Sequence, residues 1–224
     1  MIFVGDGALL WRAVDHARRS GYAVDGVCTS VGGDRPPWAE SVAVHETTDV
    51  NLLADELAAA STDGIVWSID NRFLFRAPLL GTGLRIFNVH GGPLPQYRGL
   101  PLALVAHAIL NGETEFAATL HEVDAGIDTG PVVDEERFPV EPDDVFEDVM
   151  LNLVEACHRL FVRAADAVAA DRLPRGERRP GPGGYYGRRA LTEFVRHRAH
   201  PNYARATDLG MFEDFFPEAA AAWR

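Results

Sequence analysis

Lysine is missing from this chain, since all 21 basic residues are arginines. Chemistry that forms a Schiff base on a lysine, and phosphate binding through a P-loop lysine, are therefore excluded. Positive charge is also outweighed, because 33 acidic residues give a net charge of −12. A protein that binds the backbone of nucleic acid needs a basic surface, so we expect no nucleic-acid partner.

Long apolar runs and cysteine pairs are missing as well. No segment reaches the roughly 20 apolar residues of a membrane-spanning helix, so we expect no membrane partner. The first residues lack the basic region and the cleavage site of a secretory signal. Cys28 and Cys157 stand alone, without a CxxC motif, which favours two reduced thiols in a cytoplasmic protein. None of the histidine and cysteine spacings is typical of a metal site.

What the chain does contain is an alternation of strand and helix patterns. With 224 residues, 47% of them hydrophobic, it can bury one substantial core. Apolar runs and amphipathic segments predict an α/β fold, with a Rossmann-like, mostly parallel sheet and flanking helices. The predicted strands are 2–4, 23–29, 42–44, 65–69, 84–90, 115–123 and 131–140. The predicted helices are 9–20, 50–60, 101–111 and 145–171, the last with a capping box of Asp144 and Glu147.

The composition changes near residue 173. Residues 173–187 are rich in Pro, Gly and Arg, which is typical of a loop or linker. We therefore expect a main domain over residues 1–172 and a linker with a short C-terminal appendage over residues 173–224. Aromatic side chains of the appendage should dock on the domain or on a second subunit, which makes it a candidate homodimer contact. These side chains are Phe194, Tyr203, Phe212, Phe215, Phe216 and Trp223.

The most informative motif ends the predicted strand 84–90. Asn88 and His90 are two residues apart, so their side chains point to the same side of that strand. The segment 91–93 reads Gly-Gly-Pro, which prevents a helix from starting at once. Ligands of parallel α/β sheets bind beyond the carboxyl ends of the strands. An amide donor beside an imidazole at that edge is suited to a developing oxyanion.

A second motif supplies carboxylates. Residues 121–130 read His-Glu-Val-Asp-Ala-Gly-Ile-Asp-Thr-Gly, a glycine-bearing loop that follows a predicted strand. A carboxylate near His90 would hold the orientation of its ring and stabilise its charged form. Spacing alone does not choose between Asp124 and Asp128, and an Asp-x-Gly segment also favours a turn without any further role.

Together the two motifs resemble the formyltransferases that use 10-formyltetrahydrofolate. The first reads Asn-x-His-x-x-x-Leu-Pro-x-Tyr-Arg-Gly over 88–99, and the second reads Asp-x-Gly-x-Asp-x-Gly over 124–130. That family includes methionyl-tRNA formyltransferase, glycinamide ribonucleotide formyltransferase and the sugar N-formyltransferases. Residues 185–189 resemble a segment that follows the catalytic core in several members. The resemblance covers roughly residues 1–189, and it implies that residues 1–172 form the catalytic domain.

The resemblance implies roles for individual residues. The implied catalytic residues are Asn88, His90 and Asp128. The implied folate-binding residues are Phe73, Leu74, Phe75, His121, Asp124 and Gly126. The implied acceptor contacts are Tyr97 and Arg98. Simpler interpretations stay open: Phe73 and Phe75 as core residues, His121 as a histidine of the pocket wall, and Arg98 as an anchor of its loop.

The sequence departs from the family pattern at two places, one after residues 73–75 and one after His90. Arg76 stands where a proline is common, and Gly91-Gly92 stands where many relatives have Pro-Ser. The first departure bears on the contacts to the pterin ring. The second predicts a loosened or widened site after His90.

The resemblance implies an N-formyltransferase that needs 10-formyltetrahydrofolate and no metal. The short segment after residue 189 and the acidic charge disfavour tRNA as acceptor. We therefore expect the amine of a small molecule, either an amino-sugar nucleotide or a metabolite derived from an amino acid or peptide. Two alternatives remain: a 10-formyltetrahydrofolate hydrolase, in which water replaces the amine, and a folate-binding protein without catalysis.

Overall fold

A central sheet of seven strands organises the computed structural model, which describes residues 1–170 and 172–223. The strands along the chain are β1 (Ile2–Gly5), β2 (Gly26–Ser30), β3 (Val44–Thr47), β4 (Ile65–Ile69), β5 (Arg85–His90), β6 (Tyr97–Gly99), β7 (Glu115–Glu122), β8 (Val132–Pro139) and β9 (Gly184–Tyr186). The sheet order is β3-β2-β1-β4-β5-β7-β8, while β6 and β9 form a separate pair. Strands β3, β2, β1, β4 and β5 pair in parallel, which confirms the Rossmann-like α/β prediction.

Helices connect many of these strands. They are α1 (Gly7–Arg19), α2 (Ala54–Ala60), α3 (Ala77–Leu80), α4 (Pro101–Asn111), α5 (Phe146–Ala169), α6 (Arg188–Glu193), α7 (Tyr203–Ala206) and α8 (Pro217–Trp223). Helix α4 has the predicted bounds, because Pro101 suits a first helical turn and Gly112 ends the helix at a left-handed φ of 71°. The predicted end of α5, Asp171, lies outside the described residues. Within the described ranges, no helix combines the length and the apolar character that crossing a membrane requires.

The core of the sheet is built from strands that are buried at every position. Strands β1 and β4 are of this kind, as expected for parallel strands covered on both faces. The Trp67 ring lies 5.5 Å from that of Phe87 and 5.2 Å from that of Phe161. Phe161 also meets Phe3 at 5.8 Å. These contacts hold strands β1, β4 and β5 against the second half of α5.

Both cysteines are buried thiols outside any disulfide, as the lack of a CxxC motif predicts. Burial raises the pKa of the Cys28 thiol to about 12. That thiol therefore stays protonated and behaves as a small apolar side chain.

The N-terminus of α5 differs from the predicted capping box. The carboxylate of Glu147 accepts a hydrogen bond from the Met211 N–H at 3.0 Å. Asp148 takes the capping role instead, and accepts from the Val145 N–H at 3.0 Å. The box prediction was wrong because a distant segment competes for Glu147, and the local sequence does not reveal that segment.

The predicted loop 173–187 contains paired backbone. Strand β9 lies inside it and pairs in parallel with β6, and Glu177 forms an antiparallel bridge with Val132. A three-residue strand leaves almost no periodicity in a sequence. The partner strand, rather than the segment itself, decides that β9 forms.

The chain divides into two compact units. The first comprises Met1–His90, Leu120–Asp134 and His158–Arg178, and the second comprises Gly91–Thr119, Glu135–Cys157 and Arg179–Arg224. Strands β7 and β8 and helix α5 have residues in both. The boundary at residue 173, between a catalytic domain and a C-terminal appendage, stays a prediction.

Several C-terminal aromatic residues pack inside the second unit. The ring of Phe194 lies 4.9 Å from those of His107 and Trp223. The Tyr203 hydroxyl donates to the Trp223 carbonyl at 2.9 Å. In contrast, Phe215 is 69% exposed. The appendage therefore docks on its own chain through part of its aromatic residues.

Candidate active site

Strand β5 carries Asn88 and His90 at its carboxyl end. Its parallel register with β4 sets Ser68 beside Asn88, and the Ser68 hydroxyl donates to Asn88 Oδ1 at 2.9 Å. His90 is buried, and Asn88 is half-buried. The pair thus lies at the edge of the sheet where ligands of parallel α/β folds bind.

The loop between β7 and β8 brings a carboxylate to this pair. Asp128 Oδ1 lies 3.7 Å from His90 Nδ1 and 3.8 Å from His121 Nε2. The backbone at Asp128 has a φ of 52°, a conformation that aspartate adopts more readily than most residues. The structure therefore brings Asn88, His90 and Asp128 together. The sequence left the choice of carboxylate open until the family resemblance, and the geometry agrees with Asp128.

His121 is a neutral imidazole in this cluster. Its Nδ1 lies 2.9 Å from the Glu122 carbonyl, and its Nε2 lies 3.1 Å from Asn88 Nδ2. Burial, and next the neighbouring His90, lower the pKa of His121 to about 4, although Asp128 opposes the shift. A carbonyl can only accept, so Nδ1 carries the proton and Nε2 is the acceptor. Neutral His121 therefore accepts a hydrogen bond from Asn88 and donates one to the Glu122 carbonyl.

Asp124 organises the turn of the same loop. One of its carboxylate oxygens accepts from the Gly126 N–H at 3.0 Å and from the Thr129 hydroxyl at 2.6 Å. The other accepts from Arg178 at 2.8 Å. Burial acts against ionisation here, but these hydrogen bonds from Thr129 and Arg178 hold the pKa of Asp124 below its usual value. A Cβ at Gly126 would meet Thr129 Oγ1 at 2.1 Å, so any other residue there would displace the hydroxyl that bonds Asp124.

The segment after β4 is tied to its neighbours. Phe73 and Phe75 pack against an apolar cluster of the first unit, whereas Leu74 is 55% exposed. The Asn51 side chain donates to the Leu74 carbonyl at 2.8 Å and accepts from the Arg76 N–H at 2.7 Å. The two phenylalanines therefore have a core role, and Leu74 presents an apolar side chain to solvent.

The glycines that follow β5 are tightly packed in the second unit. A Cβ at Gly91 would lie 3.2 Å from the Leu153 side chain, and one at Gly92 would lie 2.9 Å from the Tyr97 carbonyl. The Thr119 hydroxyl also donates to the Gly92 carbonyl at 2.8 Å. Glycine at these positions allows close packing of the loop. The structure therefore gives no support to the expectation that Gly91-Gly92 loosens it.

Tyr97 and Arg98 belong to the second unit. The Tyr97 hydroxyl donates to Glu113 at 2.8 Å and accepts from Asn111 at 3.0 Å, and its ring stacks on Tyr186 at 5.3 Å. Burial raises the pKa of this phenol. Within the described ranges, Arg98 Nε is buried without a hydrogen-bond partner. Tyr97 thus has an internal anchoring role, and acceptor contact by either residue stays a prediction.

The contacts of two polar side chains in this region, Ser68 and Arg178, were not predicted from the sequence. Ser68 had a signal in the sequence, since it is the one polar residue in the strand 65–69. The structure pairs it with Asn88. Arg178 had no such signal, because it is one of many arginines in its segment and contacts residues about fifty positions earlier. Across residues 1–170 and 172–223, no group of three or more His, Cys, Asp or Glu side chains is placed to hold a metal ion.

Comparison with known proteins gives a family for this fold and site. A family model described as formyl transferase matches residues 39–165, which is more than half of the chain. Methionyl-tRNA formyltransferase from Bacteroides fragilis is 34% identical over 127 residues, or 53% of this chain and 35% of that protein. The chain spans only between 30% and 35% of the length of the curated relatives it matches.

Solved structures share the fold over most of the chain. A 4-N formyltransferase from Francisella tularensis aligns with a TM-score of 0.75 at 19% identity, covering 92% of this chain and 87% of its own. An N-formyltransferase from Helicobacter canadensis, solved with folinic acid and dTDP-3-aminofucose, aligns with a TM-score of 0.68 at 20% identity, covering 84% and 71%. The family match confirms the resemblance seen in the two motifs, and the chain belongs to the formyl transferase family.

Proposed function

We propose that this chain is an N-formyltransferase that moves a formyl group from 10-formyltetrahydrofolate to the amine of a small molecule. The observation that carries the proposal is the cluster of Asn88, His90 and Asp128 at the carboxyl edge of the sheet. An amide N–H, an imidazole and a carboxylate within reach of one another match the needs of acyl transfer to an amine. Membership of the formyl transferase family supports the same chemistry.

The roles of the three side chains follow from their chemistry. When bound, the folate supplies an electrophilic formyl carbon. Asn88 donates an N–H to the formyl oxygen as negative charge develops there, and protonated His90 donates a second, charged hydrogen bond. Asp128 stabilises the imidazolium and accepts the proton of the attacking amine, directly or through one water. His90 gives its proton to the folate nitrogen as the bond from that nitrogen to the formyl carbon breaks, so the amine keeps the formyl group and the folate leaves without it. Neutral His121 stays outside the proton transfer.

The folate site in this proposal lies in the first unit. Its edges are the segment of Phe73, Leu74 and Phe75 and the loop that Asp124 and Gly126 organise, with His121 behind them. The exposed Leu74 side chain is suited to an aromatic ring, and Asp124 would shape the pocket through its turn. A structural neighbour solved with folinic acid supports a folate ligand.

The acceptor in this proposal is a small amine, either an amino-sugar nucleotide or a derivative of an amino acid or peptide. The neighbour solved with dTDP-3-aminofucose supports the first class. The net charge of −12 argues against a tRNA acceptor, since RNA binding depends on basic surface. Arg98, whose Nε has no hydrogen-bond partner among the described residues, is the proposed polar contact to the acceptor, with Tyr97 holding its strand.

The remaining proposals concern the whole protein. Catalysis resides in residues 1–172, and residues 173–224 form the appendage. The buried thiols of Cys28 and Cys157, which form no disulfide, support a reducing, cytoplasmic setting. A homodimer through the appendage would use exposed Met211 and Phe215, and light scattering of the wild type and of Phe215→Glu tests that contact.

The test is a reaction of the full chain with 10-formyltetrahydrofolate and a panel of amines. The panel contains amino-sugar nucleotides, amino acids, short peptides and methionyl-tRNA, and mass spectrometry reads the products. We expect one small amine to gain a formyl group as folate is consumed. Formate release without a formylated amine would favour the hydrolase, and tight folate binding without turnover would favour the non-catalytic protein. Either result overturns the proposal.

A further inference from the structure

A continuous chain of hydrogen bonds runs through the candidate active site in the first unit. Asn71 Nδ2 donates to Ser68 Oγ at 3.1 Å, and Ser68 Oγ donates to Asn88 Oδ1 at 2.9 Å. Asn88 Nδ2 lies 3.1 Å from His121 Nε2, and His121 Nδ1 lies 2.9 Å from the Glu122 carbonyl. Of the residues joined by these hydrogen bonds, the proposed mechanism gives a catalytic role only to Asn88. The role of the other residues has still to be explained.

Asn71, at one end of this series of hydrogen bonds, fixes the direction in which each hydrogen points. The Phe73 N–H donates to Asn71 Oδ1 at 2.8 Å, and the Phe73 carbonyl accepts from Asn71 Nδ2 at 3.1 Å. The Asn71 amide therefore has one possible orientation, with its NH₂ toward Ser68. Ser68 is buried and has a single hydrogen. Because Ser68 accepts from Asn71, that hydrogen is available for Asn88 Oδ1.

His121, at the other end of this series of hydrogen bonds, fixes the same direction independently. The Glu122 carbonyl can only accept, so neutral His121 carries its proton on Nδ1 and offers a lone pair at Nε2. That lone pair requires a donor, which is the NH₂ group of Asn88. A reversed Asn88 amide would set its Oδ1 against the lone pair and its NH₂ against Ser68. Two backbone anchors, Phe73 after β4 and Glu122 at the end of β7, thus require the same orientation of the amide.

We infer that Ser68 and Asn71 are positioning residues that hold the Asn88 amide in the one orientation that presents an N–H to the formyl oxygen. One hydrogen of the NH₂ group is used on His121, and the second remains for the substrate. Oxyanion stabilisation depends on a donor that is oriented before the reaction begins. The inference rests on the proposed function for its catalytic consequence, while the amide orientation itself stands on the hydrogen bonds.

The same hydrogen bonds connect residues 73–75, the segment proposed to border the folate, to the Asn88 amide. Asn71 holds both polar backbone groups of Phe73, and Phe73 lies in the segment proposed to border the pterin ring. The position of this segment is therefore coupled to the orientation of Asn88 through two side chains. A change at Ser68 interrupts the link and leaves the backbone anchors of Asn71 in place.

A double-mutant cycle tests the positioning role. We expect Ser68→Ala to lower kcat about tenfold, the effect of one neutral hydrogen bond, with KM for both substrates within about twofold. In an Asn88→Ala background, the same change should lower kcat less than about twofold, because no amide remains to be oriented. Equal losses in both backgrounds would show a merely structural role and overturn the inference.

Two further variants complete the experiment, one as a control and one as an independent test. Thr29→Val is the matched control, since Thr29 on β2 also has a buried hydroxyl, which lacks a hydrogen-bond partner among the described residues; its kcat should equal that of the wild type. Asn71→Asp keeps the acceptor for the Phe73 N–H but removes the donor to Ser68 and to the Phe73 carbonyl, and should lower kcat at least as much as Ser68→Ala does. Unchanged kcat in Asn71→Asp would contradict the coupling, whether or not Ser68→Ala folds.

Nitrogen-15 NMR of the wild-type protein reads the orientation without any assay of activity. Signals of His121 are assigned by their loss in His121→Gln. We expect a proton on Nδ1 and an unprotonated Nε2 at neutral pH. A proton on Nε2 would overturn the inferred orientation. If Nε2 is unprotonated but no amine is formylated, the amide orientation stands and the proposed function fails, so the two failures are distinguishable.

Discussion

At the scale of single residues, the site depends on which groups carry protons at neutral pH. His121 is buried, and its pKa of about 4 keeps it neutral, which lets Nε2 accept from Asn88. The ring contributes to stability in a pH-dependent way for the same reason. Its ordinary pKa is about 6.5 in the unfolded chain, so between these values the unfolded state binds the proton and the folded state does not.

We therefore predict that the wild type loses stability through His121 as the pH falls from about 6.5 to about 4. The free energy of unfolding should decrease by on the order of 2–3 kcal/mol from this group. Chemical denaturation at neutral pH and at acidic pH measures the loss in the wild type and in His121→Gln. His107, whose pKa burial also lowers, is common to both proteins and cancels. An equal loss in both proteins would contradict the prediction.

The residues of the site were predictable from the sequence to different degrees. Asn88 and His90 follow from a spacing of two on a strand, which any sheet converts into a shared side. Asp128 could not be separated from Asp124 by spacing, because a loop with a left-handed φ at Asp128 decides which carboxylate reaches His90. The contact of Arg178 with Asp124 could not be predicted, since only the folded chain brings the two side chains together.

At the scale of elements, the loop between β7 and β8 is held from outside by the segment that follows α5. Arg178 donates to Asp124 and to the Thr129 carbonyl, both at 2.8 Å. The neighbouring Glu177 pairs with Val132. This attachment positions the loop that carries Asp128.

We predict that Arg178→Ala weakens folate binding several-fold and changes the free energy of unfolding by less than about 1 kcal/mol. The side chain of Arg178 is 65% exposed, and exposed ion pairs contribute little to stability, so the effect falls on the loop. Calorimetric titration with folate and chemical denaturation measure the two quantities. Arg175→Ala, an exposed arginine of the same segment, is the control. Equal folate affinity in Arg178→Ala and the wild type would refute the positioning role.

Element boundaries were predictable where local chemistry sets them. Helix α4 begins at Pro101 and ends before Gly112, as the sequence indicates. Strand β9 and the competition of Met211 for Glu147 were not predictable, because each depends on a partner far away in the sequence. Local patterns define elements, and tertiary contacts change their ends.

At the scale of the whole molecule, the C-terminal segment contributes to the second unit. Trp223 is buried, donates its indole N–H to the Leu191 carbonyl at 3.1 Å and packs on Phe194. Phe215, eight positions earlier, is 69% exposed. The same chain end thus holds an integral aromatic residue and a surface one.

We predict that Trp223→Ala lowers the free energy of unfolding by about 3–5 kcal/mol, the usual loss for a large buried ring. Phe215→Ala should change it by less than about 0.5 kcal/mol, as for an exposed side chain. Urea denaturation of the two variants and the wild type gives both values. Similar stability of Trp223→Ala and Phe215→Ala would mean that the appendage is not part of the folded unit.

We propose that Asn88, His90 and Asp128 together catalyse the transfer of a formyl group to a small amine. The most direct measurement is transfer of isotopically labelled formyl from 10-formyltetrahydrofolate to the amine identified in the panel, by the wild type and by Asn88→Ala, His90→Ala and Asp128→Asn. We predict labelled amine from the wild type and a loss of rate on the order of 10² or more in each variant, with folded structure retained. Labelled amine formed at wild-type rate by Asn88→Ala or His90→Ala would show that these side chains do not catalyse the transfer.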